Sequence, residues 1–444
     1  MKNMMKKNYV AKSLLALVAA GAIASCKPNL QEYIPSNGEV DFSRYIAVGN
    51  SLSAGYADGG LYLEGQQNSF PEILAKQFKA VGGGEFNSPF FTEAQANGTG
   101  YAQLSGFSAT GAPIISNVTN NTAWTSGSRT ALTKYDGPFN NYGVPEMKVA
   151  NLESKGYAAS NPFFARILGA ANANSSYMEV VAASANEQKA TFFSFWEGQN
   201  DILGFAYTGG SQPLTPLTQF ETLYNRTINT LVGIDAKNPR KGVVGTVGDV
   251  LAIPYFNVVT LKALQAAVAA AAPAAGANAT LYVRTGANTT VRADSTFKFT
   301  LPLSSSGLVG KPDAAGRPYG LHPQNPIASN WVLDPAEQTL IRTRTNEYNA
   351  IIKQIASQKK LAIADIDDLL SQYYTPKMVN GAAVSTAFIT GNLFSLDGIH
   401  LTPFGNAITA NAFIKAINQQ YKASVPIANV AHYRGLKFPG AAAK

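Results

Sequence analysis

Serine, histidine, aspartate and asparagine occur in this chain in three short stretches whose combination fits nucleophilic acyl transfer. The stretches are Gly49-Asn50-Ser51-Leu52-Ser53, Gly198-Gln199-Asn200-Asp201 and Asp397-Gly398-Ile399-His400. A serine hydroxyl attacks a carbonyl only when a base takes its proton, and the base needs a partner that fixes its tautomer. The oxyanion that forms needs hydrogen-bond donors. Ser51 supplies the hydroxyl. His400 supplies the base, and Asp397, three residues earlier, can accept its Nδ1 proton. The Asn200 amide supplies a donor. Read singly, each stretch is also an ordinary turn or a loop histidine beside a loop aspartate. Gly49-x-Ser51-x-Ser53 lacks the second glycine of the G-x-S-x-G nucleophile elbow, which argues against an α/β-hydrolase. With three histidines and one cysteine in the chain, the sequence offers no zinc site, and the chemistry requires neither metal nor cofactor.

The elements that must position these residues are legible in outline. Tyr45-Ile46-Ala47-Val48 is a short apolar run that stops at Gly49. Phe192-Phe193-Ser194-Phe195-Trp196 is a second, ending before Gly198. Residues 242–247 and 361–366 read as two more buried strands. Helical patterns fall between them over 71–80, 219–231 and 336–359. Thr402 is an expected helix N-cap and Pro403 the first helical residue, so His400 sits on a loop just before a helix. Alternating strands and helices imply a mostly parallel, doubly wound α/β sheet. Ligands bind such sheets outside the carboxyl ends of the strands, where Ser51 and Asn200 lie. Two long stretches exceed that minimal plan. Residues 81–140 are rich in Gly, Asn, Ser and Thr. Residues 262–330 read as a helix plus a hairpin inserted in the domain.

In their order and spacing these stretches resemble the SGNH hydrolases, the GDSL family of esterases and lipases. Gly49-Asn50-Ser51-Leu52 is similar to its first block, G-D-S-L, with Asn50 in place of the usual Asp. Gly198-Gln199-Asn200-Asp201 resembles the third block, G-x-N-D, and Asp397-Gly398-Ile399-His400 the fifth, D-x-x-H. For the glycine of the second block, Asn141-Tyr142-Gly143-Val144-Pro145 is the best match, with Gly106, Gly111 and Gly137 as competitors. The resemblance runs from about Asp41 to about Ala428. It implies a three-layer α/β/α flavodoxin-like fold, with the two long stretches as inserted loops upon it. It implies a nucleophile at Ser51, a base at His400 and an orienting acid at Asp397. The implied oxyanion hole comprises the Ser51 and Gly143 N–H groups and the Asn200 amide. The activity implied is hydrolysis of carboxylic esters through an acyl-enzyme. Motifs do not separate this from transfer of the acyl group to another acceptor. Nor do they choose between acyl lipids and acetylated glycans as substrates. A non-catalytic, glycan-binding surface lipoprotein is the alternative from another class.

The amino terminus reads as an address. Lys2, Lys6, Lys7 and Lys12 precede an apolar run over 14–25, too short to span a bilayer as a helix. Ile23-Ala24-Ser25-Cys26 resembles the lipobox of bacterial lipoproteins, which implies a signal peptide over 1–25 and lipidation of Cys26, the only cysteine. Residues 26–40 then form a tether, 41–430 the hydrolase domain and 431–444 a tail. Cys26-Lys27 lacks the Asp that in some bacteria retains lipoproteins at the inner membrane, which favours the outer membrane. The formal charge is +8, and removing the four leader lysines halves it. No basic run with interleaved aromatics is present, which argues against nucleic acid as a partner. The expected partners are an ester substrate and, through Cys26, a membrane.

Overall fold

Five short strands build the sheet that carries the candidate site. They are β1 (Tyr45–Gly49), β2 (Asn141–Gly143), β3 (Phe192–Trp196), β4 (Lys241–Gly245) and β5 (Ala362–Ala364). All pairings are parallel, and the spatial order is β5-β4-β3-β1-β2. Read from β2, this is the flavodoxin-like order 2-1-3-4-5, whose crevice lies where the chain reverses direction between β1 and β3. The computed structural model describes residues 34–109, 111–169, 172–233, 239–271 and 279–438. The leader, the Ile23–Cys26 motif, the first part of the tether and the end of the C-terminal tail lie outside them.

The strands are near-continuous apolar runs because both faces of the sheet are covered. Every residue of β1 and β3 is buried. Successive strand side chains point to opposite faces, and β3 shows what covers each. Trp196 packs on one face against Phe70 of α2 (Phe70–Phe78) and Phe413 of α8 (Pro403–Tyr421), with ring centroids 5.3 and 5.7 Å away. Phe195 packs on the other face against Tyr224 of α5 (Leu217–Val232), at 5.2 Å. There α5 joins α6 (Pro335–Gln358) through a stacked Phe220–Tyr348 pair with centroids 3.8 Å apart.

Helix starts follow local capping chemistry. The Thr402 hydroxyl accepts the Gly405 N–H, with Pro403 as the first helical residue of α8. Asp334 and Glu337 form a reciprocal capping box on α6, ahead of Pro335, satisfying N–H groups that lack an intrahelical partner.

The two long stretches contain structure of their own. Within 81–140, an antiparallel hairpin joins Tyr101–Phe107 to Pro113–Val118. The other holds a helix (Leu261–Ala271) and a hairpin of Tyr282–Arg284 with Thr290–Arg292. There Lys298–Phe299 pairs with Val332–Leu333, just before α6. Val259, Leu264, Leu281, Val283, Phe299 and Ile327 form a separate small core beneath it. Among the described residues, no helix is long and apolar enough to cross a membrane.

Candidate active site

β1 delivers Ser51. The strand ends at Gly49, and Asn50 caps the single-turn helix α1 (Ser51–Ala54), its Oδ1 accepting the Leu52 N–H at 3.0 Å. Ser51 is therefore a first-turn residue at the carboxyl edge of the sheet, only 6% exposed. The Asn50 Nδ2 donates to Glu197 Oε2 at 3.2 Å and to Gln199 Oε1 at 3.0 Å, tying the serine turn to the loop after β3.

His400 comes from the opposite end of the chain. Its Nε2 lies 2.9 Å from Ser51 Oγ, and its Nδ1 lies 2.9 Å from Asp397 Oδ2. A carboxylate accepting the Nδ1 proton leaves Nε2 as the acceptor for the serine hydroxyl. Asp397 is held from several sides. Its Oδ1 accepts the Ile399 and His400 N–H groups, each at 2.8 Å, and the Ser395 hydroxyl at 3.1 Å. Its Oδ2 also accepts the Gly59 N–H at 2.8 Å. Burial alone would raise this carboxyl. The His400 ring and the two N–H donors outweigh it and hold Asp397 well below the usual carboxylate range. The Tyr56 ring lies against the imidazole, centroids 4.6 Å apart. His322 and His432 hydrogen-bond elsewhere, to the Gln324 N–H and to Asn429.

Asn200 and Asp201 open α4 (Gln199–Tyr207), which follows α3 (Tyr177–Glu187) and β3. Gly198, at φ 112°, makes the turn from β3 into that helix, a conformation that favours glycine. Both side chains reach the loop after β2. Asn200 Nδ2 donates to the Met147 carbonyl at 2.8 Å, which leaves its second N–H. Buried Asp201 accepts the Val149 and Ala150 N–H groups and the Thr215 hydroxyl. Asp201 is thus a structural clamp between this loop and α4.

Gly143 occupies the end of β2, but its N–H is engaged by Asn141 Oδ1 at 3.0 Å. A Cβ there would lie 2.3 Å from the Ala54 nitrogen and 2.5 Å from the Ser53 carbonyl carbon. This glycine lets β2 pack against α1, and it does not present the free donor expected of it. Further along, the Val144 N–H is bound to the Gly49 carbonyl, Pro145 has no N–H, and the Met147 N–H is bound to the Val144 carbonyl. Glu146 remains. It is a non-glycine residue at φ 68°, and its N–H has no acceptor among the described residues. Left-handed backbone at a non-glycine residue is costly and clusters at functional sites.

Among known proteins, no family profile and no curated sequence matches the chain. Three solved structures align with it at low scores. One is LAE5, an alpha/beta hydrolase enzyme from the metagenome of Lake Arreo, Spain (10% identity, TM-score 0.36, covering 85% of this chain and 96% of that one). A second is a catalytic mutant of Axe2, an acetylxylan esterase from Geobacillus stearothermophilus (10%, 0.34, 85% and 96%). The third is a Clostridium thermocellum family 3 carbohydrate esterase (13%, 0.32, 86% and 98%). At these scores the likeness carries no argument about activity, which has to come from the residues themselves.

Several contributors to the site carry no motif. Gly59, Ser395, Tyr56 and Glu146 belong to loops whose approach depends on the whole fold. Glu197 is the exception in principle, since an acid closing an apolar strand run is a visible signal. It is fully buried, and burial followed by the neighbouring Asp201 carboxylate pushes its carboxyl well above the usual range. Among the described residues, no group of three or more His, Cys, Asp or Glu side chains could hold a metal ion.

Proposed function

We propose that this protein is a serine ester hydrolase of the SGNH type. What supports the reading is the unbroken line Ser51 Oγ–His400 Nε2, His400 Nδ1–Asp397 Oδ2, each link 2.9 Å. Ser51 Oγ attacks the ester carbonyl while His400 takes its proton, and the ionised Asp397 stabilises the imidazolium. His400 then passes that proton to the departing alkoxide as the carbon–oxygen bond breaks, leaving an acyl-serine. Water, activated by the same histidine, releases the acid and restores the hydroxyl.

In this reading the oxyanion is held by the Ser51 N–H and the free N–H of the Asn200 amide. From the loop after β2, the third donor is the N–H of Glu146 in place of that of Gly143. Preorganised donors of this kind supply most of the rate in such sites. The reading also has the protein exported and anchored through a lipidated Cys26, on the strength of Ile23-Ala24-Ser25-Cys26. Mass spectrometry of the native amino-terminal peptide tests that part, and an unmodified cysteine would overturn it.

The activity is tested with a chromogenic ester. Ser51→Ala should lose at least about 10⁴-fold in kcat while its melting temperature stays near wild type. A folded Ser51→Ala variant that still hydrolyses the ester at the wild-type rate would refute the assignment.

A further inference from the structure

A cleft of about 650 Å³, open mouth included, is lined by Ser51, Asn200 and His400 together with Trp196 at the end of β3 and Gly248 and Asp249 in the loop after β4. Its inner wall is aliphatic and aromatic: Leu203, Val250, Ile253, Ile366, Leu370 and Phe394. All are buried except Leu370, which is half-buried. Leu370 belongs to α7 (Ile366–Ser371), the short helix after β5.

Apart from His400, Asp249 is the only ionisable residue on the lining among the described residues. Its carboxylate is already committed, Oδ1 to the Leu251 N–H at 2.8 Å and Oδ2 to the Tyr374 hydroxyl at 3.1 Å. Beyond Ser51, Asn200 and His400, the polar side chains on the lining are Asn50, Gln199, Asp249 and Thr409, and the remaining side chains are aliphatic or aromatic. Two neighbours of the site lie outside this lining. Tyr56 packs against the His400 ring, and exposed Glu146 accepts the Tyr157 hydroxyl on its carbonyl at 3.3 Å.

We infer that the cleft is an acyl-chain site: it takes an aliphatic acyl group longer than acetyl, while the alcohol departs on the side of Tyr56 and Glu146, outside this lining. The inference rests on the ester-hydrolase reading and narrows its substrate class. The carbonyl must sit between Ser51 Oγ and the Asn200 amide, and both stand at the mouth of this cleft. An acetyl group would leave the aliphatic wall uncovered. A longer chain covers it, and each methylene taken from water into such a lining is worth roughly fourfold in binding.

The test is a pair of ester series on the full-length protein. One series varies the acyl chain, as p-nitrophenyl acetate, butyrate, hexanoate and octanoate. The other keeps acetyl and varies the alcohol from ethyl to hexyl. In the first, kcat/KM for hexanoate should exceed that for acetate by at least about tenfold. Leu370→Trp, which fills the cleft, should lower the hexanoate-to-acetate ratio by about tenfold, and Leu370→Ala should move the optimum to longer chains. These ratios are internal to each variant, so a partly unfolded preparation does not disturb them. A wild-type preference for acetate, an unmoved ratio in both Leu370 variants, or length dependence confined to the alcohol series would overturn the inference. If hydrolysis in those cases is still abolished by Ser51→Ala, the ester-hydrolase reading stands and only the acyl site fails. Hydrolysis that survives Ser51→Ala would overturn both.

Discussion

The Asn50 amide donates to the buried carboxyl of Glu197 at 3.2 Å, directly beneath the serine turn. An aspartate at position 50 would set a second acid against a carboxyl that is itself held above its usual range by burial and by Asp201. An amide can hydrogen-bond a carboxyl in either protonation state, and its Oδ1 still caps α1. The departure from the G-D-S-L pattern thus has a local electrostatic reason in the acid at position 197.

This pair gives a stability profile with a definite sign. In the unfolded chain a glutamate ionises near ~4.3. Folded Glu197 holds its proton to higher pH, so folding takes up a proton, and stability falls as pH rises above the unfolded value until the folded value is passed. Glu197→Gln has no proton to lose. Between pH 5 and 9 its melting temperature should fall less than that of wild type. Parallel melting curves across that range would contradict the assignment of a buried neutral acid.

Asp397 has the opposite sign. Its carboxyl is depressed in the folded protein, so its contribution is present above the unfolded value of about 3.9 and is lost as pH falls through the folded value. Asp397→Asn should be less stable than wild type at pH 7, and the gap should narrow below about pH 4. Its kcat should fall as well, because Nδ1 loses the acceptor that fixes its tautomer. A stability gap that widens on acidification would contradict this account.

Gly143 and Glu146 make opposite demands on the backbone. Gly143→Ala would drive a Cβ into the α1 backbone, and its melting temperature should drop sharply. Glu146→Gly relieves a left-handed residue and should gain up to about 1 kcal/mol. Asn200→Ala loses a side-chain donor and its hold on the Met147 carbonyl, so kcat should fall by roughly 10²–10³. A change confined to KM would make Asn200 a substrate-binding residue.

Apolar runs revealed β1 and β3 because parallel strands covered on both faces must be apolar along their length. The Thr402–Pro403 start of α8 was equally legible, since caps are local chemistry. β2 was not. It is three residues long, and its first residue, Asn141, is a buried amide satisfied by the Ser53 carbonyl and the Ser88 hydroxyl. Gly143 illustrates the difficulty: a glycine in a matching block is the same letter whether it frees an N–H or makes room for a neighbouring helix. The left-handed turn at Glu146 and the Gly59 N–H that reaches Asp397 across 338 residues leave no pattern in the sequence.

Of three histidines, only one stands beside the serine. His400→Ala should lower kcat by roughly 10⁴–10⁶. His322→Ala and His432→Ala should leave it unchanged, since those rings bond to Gln324 and Asn429. Equal rates in all three variants would require another base for Ser51.

The central claim is that Ser51 is the nucleophile, and covalent labelling reads it directly. Native protein treated with a fluorophosphonate should gain one adduct by intact mass, mapped by peptide sequencing to Ser51. Ser51→Ala and His400→Ala should take up none at the same dose. An adduct on any other residue, with Ser51 recovered unmodified, would contradict the account.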